Sequence, residues 1–193
     1  MAPAVPLVGV LALQGGFDAH ARMLRDLGAE VREVRVPADL EGLDGLVLPG
    51  GESTTMTLGI AREGLAEPLS ELVRSGAPVL GTCAGLIMLD REHLGLMDIV
   101  ARRNAFGRQL HSFETDLEFP DLDEPVHAVF IRAPWIDEHG PAVEILASVD
   151  GHPVAAREGE ITVVAFHPEL SGEHRLHAQF LERVRARGSA ART

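Results

Sequence analysis

The strongest constraint on the fold is an alternation, in the first half of the chain, of short apolar runs with segments of helical periodicity. The runs at 7–13 and 45–48 consist of apolar residues and glycine, and each ends at a turn, Gln14-Gly15-Gly16 or Pro49-Gly50-Gly51. A strand buried on both faces needs no polar alternation, and parallel strands need a crossover between them. The pattern predicts a three-layer α/β/α fold around a parallel sheet.

The second half of the chain contains shorter strand-like runs separated by proline, glycine and aspartate. Glu158-Gly159 suits a tight turn into the run at 161–166, so we expect a hairpin there. The central sheet is therefore expected to be mixed but mostly parallel. A last helix is expected at 173–187, followed by a frayed tail at 188–193.

Composition limits the classes of function. The 193 residues suit one domain, which we expect to span 1–193. A formal net charge of -12 argues against a nucleic-acid partner, because phosphate binding relies on clustered basic residues. No apolar run approaches the roughly 20 residues that a membrane span needs. One cysteine cannot form an internal disulfide and no secretory signal is recognised, so we expect a cytoplasmic protein.

The single cysteine has the context of a nucleophile. Gly81-Thr82-Cys83-Ala84-Gly85 lies between a strand-like and a helix-like run, which matches the glycine-x-nucleophile-x-glycine elbow. Such a turn strains the nucleophile's backbone, and the helix that follows directs its N-terminus at the sulfur. The alternative is an ordinary core residue, because free cysteine is among the residues most often buried. The elbow favours the nucleophile.

His167-Pro168-Glu169 follows the predicted strand at 161–166. If the extended conformation persists, residues two apart point to the same side, so His167 and Glu169 face one site. His167 would then take the proton of Cys83, and Glu169 would orient the imidazole. The alternative for the triplet by itself is a turn after a strand.

The turn Pro49-Gly50-Gly51 is expected at the carboxyl edge of the sheet, where open α/β folds bind ligands. The N–H groups of Gly51 and Ala84 are candidates for an oxyanion hole that receives the charge formed when a thiolate attacks an amide. A phosphate-binding loop or a plain turn is the alternative.

Six segments carry a closer resemblance, in one order along the chain. They are Leu13-Gln14-Gly15-Gly16, Leu48-Pro49-Gly50-Gly51-Glu52-Ser53-Thr54, Gly81-Thr82-Cys83-Ala84-Gly85-Leu86, Arg103-Asn104-Ala105-Phe106-Gly107-Arg108-Gln109, Phe130-Ile131-Arg132-Ala133-Pro134 and Phe166-His167-Pro168-Glu169-Leu170. Together they resemble the glutaminase subunit of pyridoxal 5′-phosphate synthase, whose fold is class I glutamine amidotransferase-like (flavodoxin-like). The elbow and the His-Pro-Glu triplet indicate the wider amidotransferase class, and the fourth and fifth segments narrow it to this subunit.

The resemblance implies a set of site residues. Cys83, His167 and Glu169 would be catalytic, and six residues would contact glutamine: Gly51, Glu52, Ser53, Arg103, Ile131 and Arg132. A guanidinium suits the α-carboxylate of glutamine and a carboxylate suits its α-ammonium. No metal or organic cofactor is implied.

The resemblance also implies a reaction and a partner. L-glutamine would be hydrolysed to L-glutamate and ammonia through a glutamyl thioester, which implies the hydrolase class, and membership of the synthase implies the lyase class. The ammonia would pass to a barrel-shaped synthase subunit in a hetero-oligomeric complex that makes pyridoxal 5′-phosphate. The segment at 90–93 is shorter than in many members of the family, so the resemblance does not predict the structure of that loop.

Three alternatives remain at this stage. A non-catalytic scaffolding subunit would keep the fold without turnover, and a cysteine hydrolase would act on other substrates. His174 and His177 are spaced to share a helix face and bind a metal, but a solvated surface is the favoured interpretation. His20, His111, His127, His139 and His152 form no ligand pattern.

Overall fold

The structure, a computed structural model, describes residues 5–107 and 112–190. Its strands are β1 (Leu7–Leu11), β2 (Glu30–Val34), β3 (Gly45–Leu48), β4 (Val79–Thr82), β5 (Ile99–Arg102), β6 (Ser112–Leu117), β7 (Val126–Ile131), β8 (Trp135–His139), β9 (Glu144–Val149), β10 (His152–Glu158) and β11 (Ile161–Val164).

The α-helices are α1 (Phe17–Asp26), α2 (Ser53–Arg62), α3 (Ala66–Arg74), α4 (Ala84–Leu89), α5 (Pro168–Ser171) and α6 (His174–Ala190), with one 3₁₀ turn at Pro37–Leu40. Among the helices described, none has both the length and the apolar character needed to cross a bilayer.

The central sheet contains seven strands in the order β2-β1-β3-β4-β11-β10-β9. Neighbouring strands from β2 to β11 pair in parallel, and β10 pairs antiparallel with both β11 and β9. The hairpin between β10 and β11 turns at Gly159, whose φ is 57°. The mixed, mostly parallel sheet that the sequence predicts is confirmed.

Side chains of the parallel strands enter two separate cores, one on each face of the sheet. In β3, Val47 joins the core that contains Leu24 of α1 and Phe180 of α6. Its neighbours Leu46 and Leu48 join the core that contains residues of α2, α3 and α4. Successive strand residues point to opposite faces, so an uninterrupted apolar run is what a strand between two helical layers requires. The predicted three-layer architecture is confirmed.

Two small sheets of two strands each lie outside the central sheet: β5 with β8 and β6 with β7. The sequence predicts β6 and β7, in which exposed and more buried residues alternate. It does not predict β5 and β8, which are four and five residues long and lack that alternation.

The last helix continues beyond its predicted end. Residues 188–190 belong to α6 rather than to a frayed tail. Within this last turn, Ser189 Oγ donates a hydrogen bond to the backbone carbonyl of Arg185 at 3.0 Å, the bond to the residue four before that a serine side chain can make inside a helix. The remaining positions of the predicted tail, 191–193, lie outside the described residues.

Candidate active site

The candidate site lies where four neighbouring strands end. The parallel strands β1, β3, β4 and β11 lie side by side, with their carboxyl ends at one edge of the sheet. The segments that follow them contain Gln14, Gly51, Cys83 and His167 in turn. Open α/β sheets bind ligands at this edge. The topology therefore brings four separate sequence motifs into one place.

Cys83 occupies a strained turn between β4 and α4. Its φ of 49° and ψ of -104° lie outside the regions that L-residues normally adopt, at a cost on the order of 1–3 kcal/mol. Its N–H donates to the carbonyl of Val164 at 2.8 Å, which ties the turn to β11. The strain that the elbow pattern predicts is present, and an ordinary core cysteine would not need it.

The glycines of the elbow permit close packing of the chain. A Cβ on Gly85 would overlap the backbone carbonyl oxygen of Leu48, and one on Gly81 would lie 2.8 Å from Cδ1 of Leu89. A backbone oxygen cannot move aside as a side-chain tip can, so position 85 excludes any side chain. The close approach that the flanking glycines predict is present.

His167 and Glu169 meet, but not by the predicted geometry. The strand β11 ends at Val164, and His167 is the N-cap residue of α5, with Pro168 at its first position. The expectation of a persisting extended chain is wrong, because proline begins a helical turn here. Glu169 lies in that first turn, and its Oε1 is 2.8 Å from His167 Nδ1.

The electrostatics of His167 favour an imidazolium. Burial by itself lowers the pKa of His167, but hydrogen bonds with Cys83 and Glu169 and the charges of both partners outweigh it and raise the pKa to about 10. Burial raises the pKa of Glu169, but the hydrogen bond from His167 and the nearby imidazoles lower it overall. The arrangement suits a negative Glu169 beside a positive His167.

These residues open onto a cleft of about 270 Å³. The cleft is lined by Cys83 and His167, by all six of the predicted glutamine contacts and by Ala84 of the predicted oxyanion hole. The lining residues are Gln14, Gly51, Glu52, Ser53, Cys83, Ala84, Ile87, Arg103, Asn104, Ile131, Arg132, Pro134 and His167. Glu169 lies behind His167, with its side chain 2% exposed.

Backbone strain is concentrated in this cleft. Among the described residues, four other than glycine have positive φ, and three of them, Cys83, Asn104 and Arg132, line the cleft. Strained residues cluster at functional sites. The sequence did not single out Asn104 as a site residue, although Asn104 lies in one of the segments that carry the resemblance. Arg108 and Gln109 of the same segment lie outside the described residues.

The carboxylate of Glu52 caps a helix at the rim of the cleft. It accepts hydrogen bonds from the N–H groups of Thr54 at 3.0 Å and Thr55 at 2.7 Å, and Nη2 of Arg103 lies 3.2 Å away. The two backbone hydrogen bonds, helped by the Thr55 hydroxyl, lower the pKa of Glu52 to about 2. A fixed negative charge and a guanidinium therefore stand together where the resemblance expects the α-ammonium and α-carboxylate of glutamine.

The segment after β1 is bound directly to the loop after β3. Gln14 Oε1 accepts from the N–H of Glu52 at 2.7 Å, and the N–H of Gly16 donates to the carbonyl of Gly50 at 3.0 Å. A Cβ on Gly15, whose φ is 91°, would overlap that same carbonyl oxygen. Any movement of the first segment therefore moves the loop that carries Gly51.

Two histidines lie buried behind the cleft, and for one of them, His177, the prediction of a solvated surface is wrong. His177 is not on a solvated surface, because His177 and His20 are both fully buried, whereas His174 is exposed. Their rings meet with His20 Nδ1 2.8 Å from His177 Nε2, and His20 Nε2 is 3.1 Å from Thr82 Oγ1. Within the described ranges, no three potential ligands are placed to hold a metal ion.

A sequence signal for the two histidines did exist. His20 shares the buried face of α1 with Met23 and Leu24, and His177 shares that of α6 with Leu176 and Phe180. A histidine in phase with an apolar helix face is expected to be buried.

A larger cavity, of about 450 Å³, lies between α6 and the sheet. Its arginines are paired within the chain: Arg157 with Asp121 and Glu144, and Arg183 with Glu160. It lacks the nucleophile, because the one cysteine of the chain lies in the smaller cleft. The smaller cleft is therefore the candidate active site.

Comparisons with known proteins show the family of this chain. The SNO glutamine amidotransferase family matches residues 10–186. The pyridoxal 5′-phosphate synthase subunit PdxT of Mycobacteroides abscessus is 52% identical over 190 residues, which cover 94% of this chain and 98% of that relative. The same subunit of Herpetosiphon aurantiacus is 53% identical over 186 residues, covering 90% and 98%. A crystal structure described as a glutamine amidotransferase superposes with a TM-score of 0.86 at 44% identity, covering 92% of this chain and 98% of that one.

These matches correct one expectation. The resemblance was taken to imply the lyase class as well as the hydrolase class, but the matched family is one of glutamine amidotransferases and the relatives are a single subunit of the synthase. A glutaminase subunit breaks an amide bond with water, which is hydrolysis. The lyase class is wrong for this chain.

Proposed function

The chain belongs to the SNO glutamine amidotransferase family, and we propose that it hydrolyses L-glutamine with a Cys83, His167 and Glu169 triad. It is the glutaminase subunit of pyridoxal 5′-phosphate synthase, since its family is one of glutamine amidotransferases and its relatives of 52% and 53% identity over nearly the whole chain are named subunit PdxT of that synthase. The observation that carries the residue assignment is the strained Cys83 beside His167, whose Nδ1 lies 2.8 Å from Glu169.

The proposed reaction begins with the thiolate of Cys83 attacking the carbon of the glutamine side-chain amide. The N–H groups of Gly51 and Ala84 bind the oxyanion that forms, an interaction commonly worth about 3 kcal/mol per donor. His167 gives its proton to the departing ammonia, which leaves a glutamyl thioester. Water then attacks the thioester, His167 takes up a proton, and glutamate leaves as the thiolate is restored.

Glutamine recognition follows from the charges around the cleft. We assign Gly51, Glu52, Ser53, Arg103, Ile131 and Arg132 to the substrate. Arg103 and Arg132 offer planar donors to the α-carboxylate, and the permanently ionised Glu52 attracts the α-ammonium. The scissile amide then reaches toward Cys83 at the inner end of the cleft.

The ammonia is used by a partner. The subunit acts with a pyridoxal 5′-phosphate synthase subunit, and we propose that this partner is barrel-shaped, that the two form a hetero-oligomeric complex, and that it works in the cytoplasm. The chain itself is proposed to be a single domain that supplies ammonia and binds no organic cofactor.

Glutamate release from L-glutamine tests the proposal, measured with the chain alone and with the synthase subunit, for wild type and Cys83→Ala. We expect release that the partner stimulates and that Cys83→Ala abolishes. Release by Cys83→Ala at the wild-type rate would contradict the triad, and its complete absence from the wild-type complex would indicate a scaffolding subunit. Faster cleavage of asparagine or a peptide than of glutamine would contradict the substrate assignment.

A further inference from the structure

One oxygen of the Glu169 carboxylate is unsatisfied by the proposed triad. Oε1 faces His167, but Oε2 is buried and has no hydrogen-bond partner among the described residues. A buried carboxylate oxygen without a donor is costly, because it has lost its water. Nε2 of His20 lies 3.4 Å from Oε2, at ion-pair distance. His20 is therefore placed to complete the shell of this carboxylate.

The ring of His20 is fixed by three elements. It belongs to α1, its Nδ1 lies 2.8 Å from Nε2 of His177 in α6, and its Nε2 lies 3.1 Å from Oγ1 of Thr82 in β4. Both imidazoles are fully buried, with their ring centres 5.0 Å apart. Thr82 directly precedes Cys83, so the ring of His20 contacts both Glu169 and the residue next to the proposed nucleophile.

Both histidines are neutral at physiological pH. Burial lowers the pKa of His20 although the charge of Glu169 opposes it, and burial together with His20 lowers the pKa of His177 to about 3. One proton therefore lies between the two facing nitrogens. If His177 donates it, Nε2 of His20 carries a hydrogen, and the oxygens within its reach are Thr82 Oγ1 at 3.1 Å and Glu169 Oε2 at 3.4 Å.

The opposite tautomers satisfy the site less well. If His177 instead donates from Nδ1 toward the backbone of Glu173, His20 must donate to His177, and a lone pair on His20 faces the carboxylate. In the first arrangement, only Nδ1 of the neutral His177 lacks a partner. This nitrogen is buried without a hydrogen bond among the described residues. An unpaired nitrogen of a neutral ring costs less than an unpaired carboxylate oxygen.

We propose that His20 is a positioning residue for Glu169, donating from Nε2 to Oε2, and that His177 fixes the tautomer that makes this possible. The proposal rests on the proposed function, since it concerns the orientation of the triad. Held at both oxygens, the carboxylate cannot rotate away from His167 when the imidazole becomes charged. Local sequence patterns do not predict this arrangement, because its members His20, Glu169 and His177 come from three separate helices, α1, α5 and α6.

The groups that surround the contact determine its response to pH. Glu169 is faced by His167 and His20, and His20 is faced in addition by Thr82 and His177. Glu173 and His174 lie beyond His177. A hydrogen bond donated by neutral His20 favours the ionised form of Glu169, so removal of His20 raises the pKa of Glu169 and moves the acid limb of the rate profile to higher pH.

The first test compares His20→Leu with His20→Gln in the complex with the synthase subunit. Glutamine keeps an amide donor close to the position of Nε2, and leucine removes it. We expect His20→Leu to lower kcat on the order of ten- to a hundredfold, with KM within about twofold, and to move the acid limb upward. His20→Gln restores most of kcat and the wild-type pH profile. His127→Leu, which removes an exposed histidine from β7, is the control.

Equal losses in His20→Leu and His20→Gln with an unmoved pH profile would overturn the proposal, because that is the result of lost packing. The second test needs no variant. Nitrogen-15 chemical shifts of the free chain are expected to show His20 as the Nε2–H tautomer, and the Nδ1–H tautomer would overturn the proposal. Cys83→Ala, measured alongside, separates the failures: activity without Cys83 contradicts the triad, whereas wild-type kcat in His20→Leu contradicts only the role of His20.

Discussion

Gly50 packs closely against both the proposed nucleophile and the proposed base. A Cβ at this position would lie 3.2 Å from Cβ of Cys83 and 3.0 Å from Nδ1 of His167. Real Cβ atoms rarely approach neighbours so closely, so either side chain would have to move. At the scale of single residues, the site depends on the lack of a side chain at position 50 as much as on the side chains around it.

We therefore expect Gly50→Ala to reduce kcat for glutamate release by at least about a hundredfold, because small displacements of reacting groups carry penalties of that order. Gly59→Ala is the matched control: it adds the same methyl to another buried glycine, in α2, where the new atom meets only the side chain of Leu13. Assay of both variants in the complex tests this. A Gly50→Ala enzyme with wild-type kcat would contradict the placement of the pair.

At this scale the sequence predicted the residues that the structure brings together in and behind the cleft, but not the contact between His20 and His177. Cys83, His167 and Glu169 stand in motifs whose spacing reflects a backbone geometry, so the sequence singles them out as candidates. His20 and His177 are far apart in the sequence, and the apolar face of each helix predicts that they are buried but not that they meet. Their contact depends on how α1 and α6 pack, which local patterns do not specify.

The start of α2 shows how one element contributes to the cleft. Glu52 precedes the helix and accepts from the N–H groups of its first turn, which a helix otherwise leaves without partners. The negative carboxylate also suits the positive end of the helix dipole. The residue assigned to the substrate ammonium is thus held in place by the helix that it caps.

This cap makes stability depend on pH in a defined window. The pKa of Glu52 is lowered from 4.5 to about 2 by the backbone hydrogen bonds of Thr54 and Thr55. A lowered folded-state pKa means that the stabilisation is present above pH 4.5 and is lost as the pH falls toward 2. Glu52→Gln should flatten the pH dependence of the urea midpoint in this window. Glu30→Gln, the same charge change on the exposed start of β2, should flatten it less; equal slopes would contradict the assignment.

The segment between β1 and α1 provides the second test at the scale of elements. Gly15 and Gly64 both have positive φ, of 91° and 68°, but a Cβ on Gly15 would overlap the carbonyl oxygen of Gly50, whereas one on Gly64 meets nothing within 4 Å. Gly64→Ala should therefore show the backbone strain alone, about 1–2 kcal/mol. Gly15→Ala should be less stable than this in urea unfolding and should also lose activity; equal stability would contradict the tight contact between the two loops.

Element prediction succeeded where one physical cause dominates. Parallel strands such as β1 and β3 were found because burial on both faces makes them uniformly apolar. The strands β5 and β8 were missed because short, partly exposed strands carry neither that signal nor a clear alternation. The geometry at His167 was also missed, since a proline after a strand is compatible with an extended chain or with the first position of a helix.

At the scale of the whole molecule, activity is expected to depend on the partner subunit. The Gln14-Gly15-Gly16 segment is hydrogen-bonded to the loop that carries Gly51, so a partner that moves this segment alters the proposed oxyanion hole. We expect the isolated chain to release glutamate slowly and the complex to release it at least about tenfold faster, chiefly through kcat. Titration of the chain with the synthase subunit measures this, and equal turnover at all ratios would refute it.

The overall architecture was the most predictable level. An alternation of strands and helices leaves few ways to cover both faces of a parallel sheet, so the layers and the position of the cleft followed from the pattern. The two small sheets did not, because they depend on contacts between segments that show no strong local preference.

The pairing of β4 with β11 has a further consequence. These are the fourth and fifth of the seven strands, with Val164 in register with Thr82, and the proposed nucleophile follows one strand while the proposed base follows the other. Amide hydrogens near the centre of a sheet exchange through the largest openings, and those at its edges through small local ones. The N–H of Cys83, bound to Val164, should therefore exchange with solvent among the slowest. Fraying at β2 or β9 would leave the two reactive side chains in register, so inactivation on heating should coincide with global unfolding.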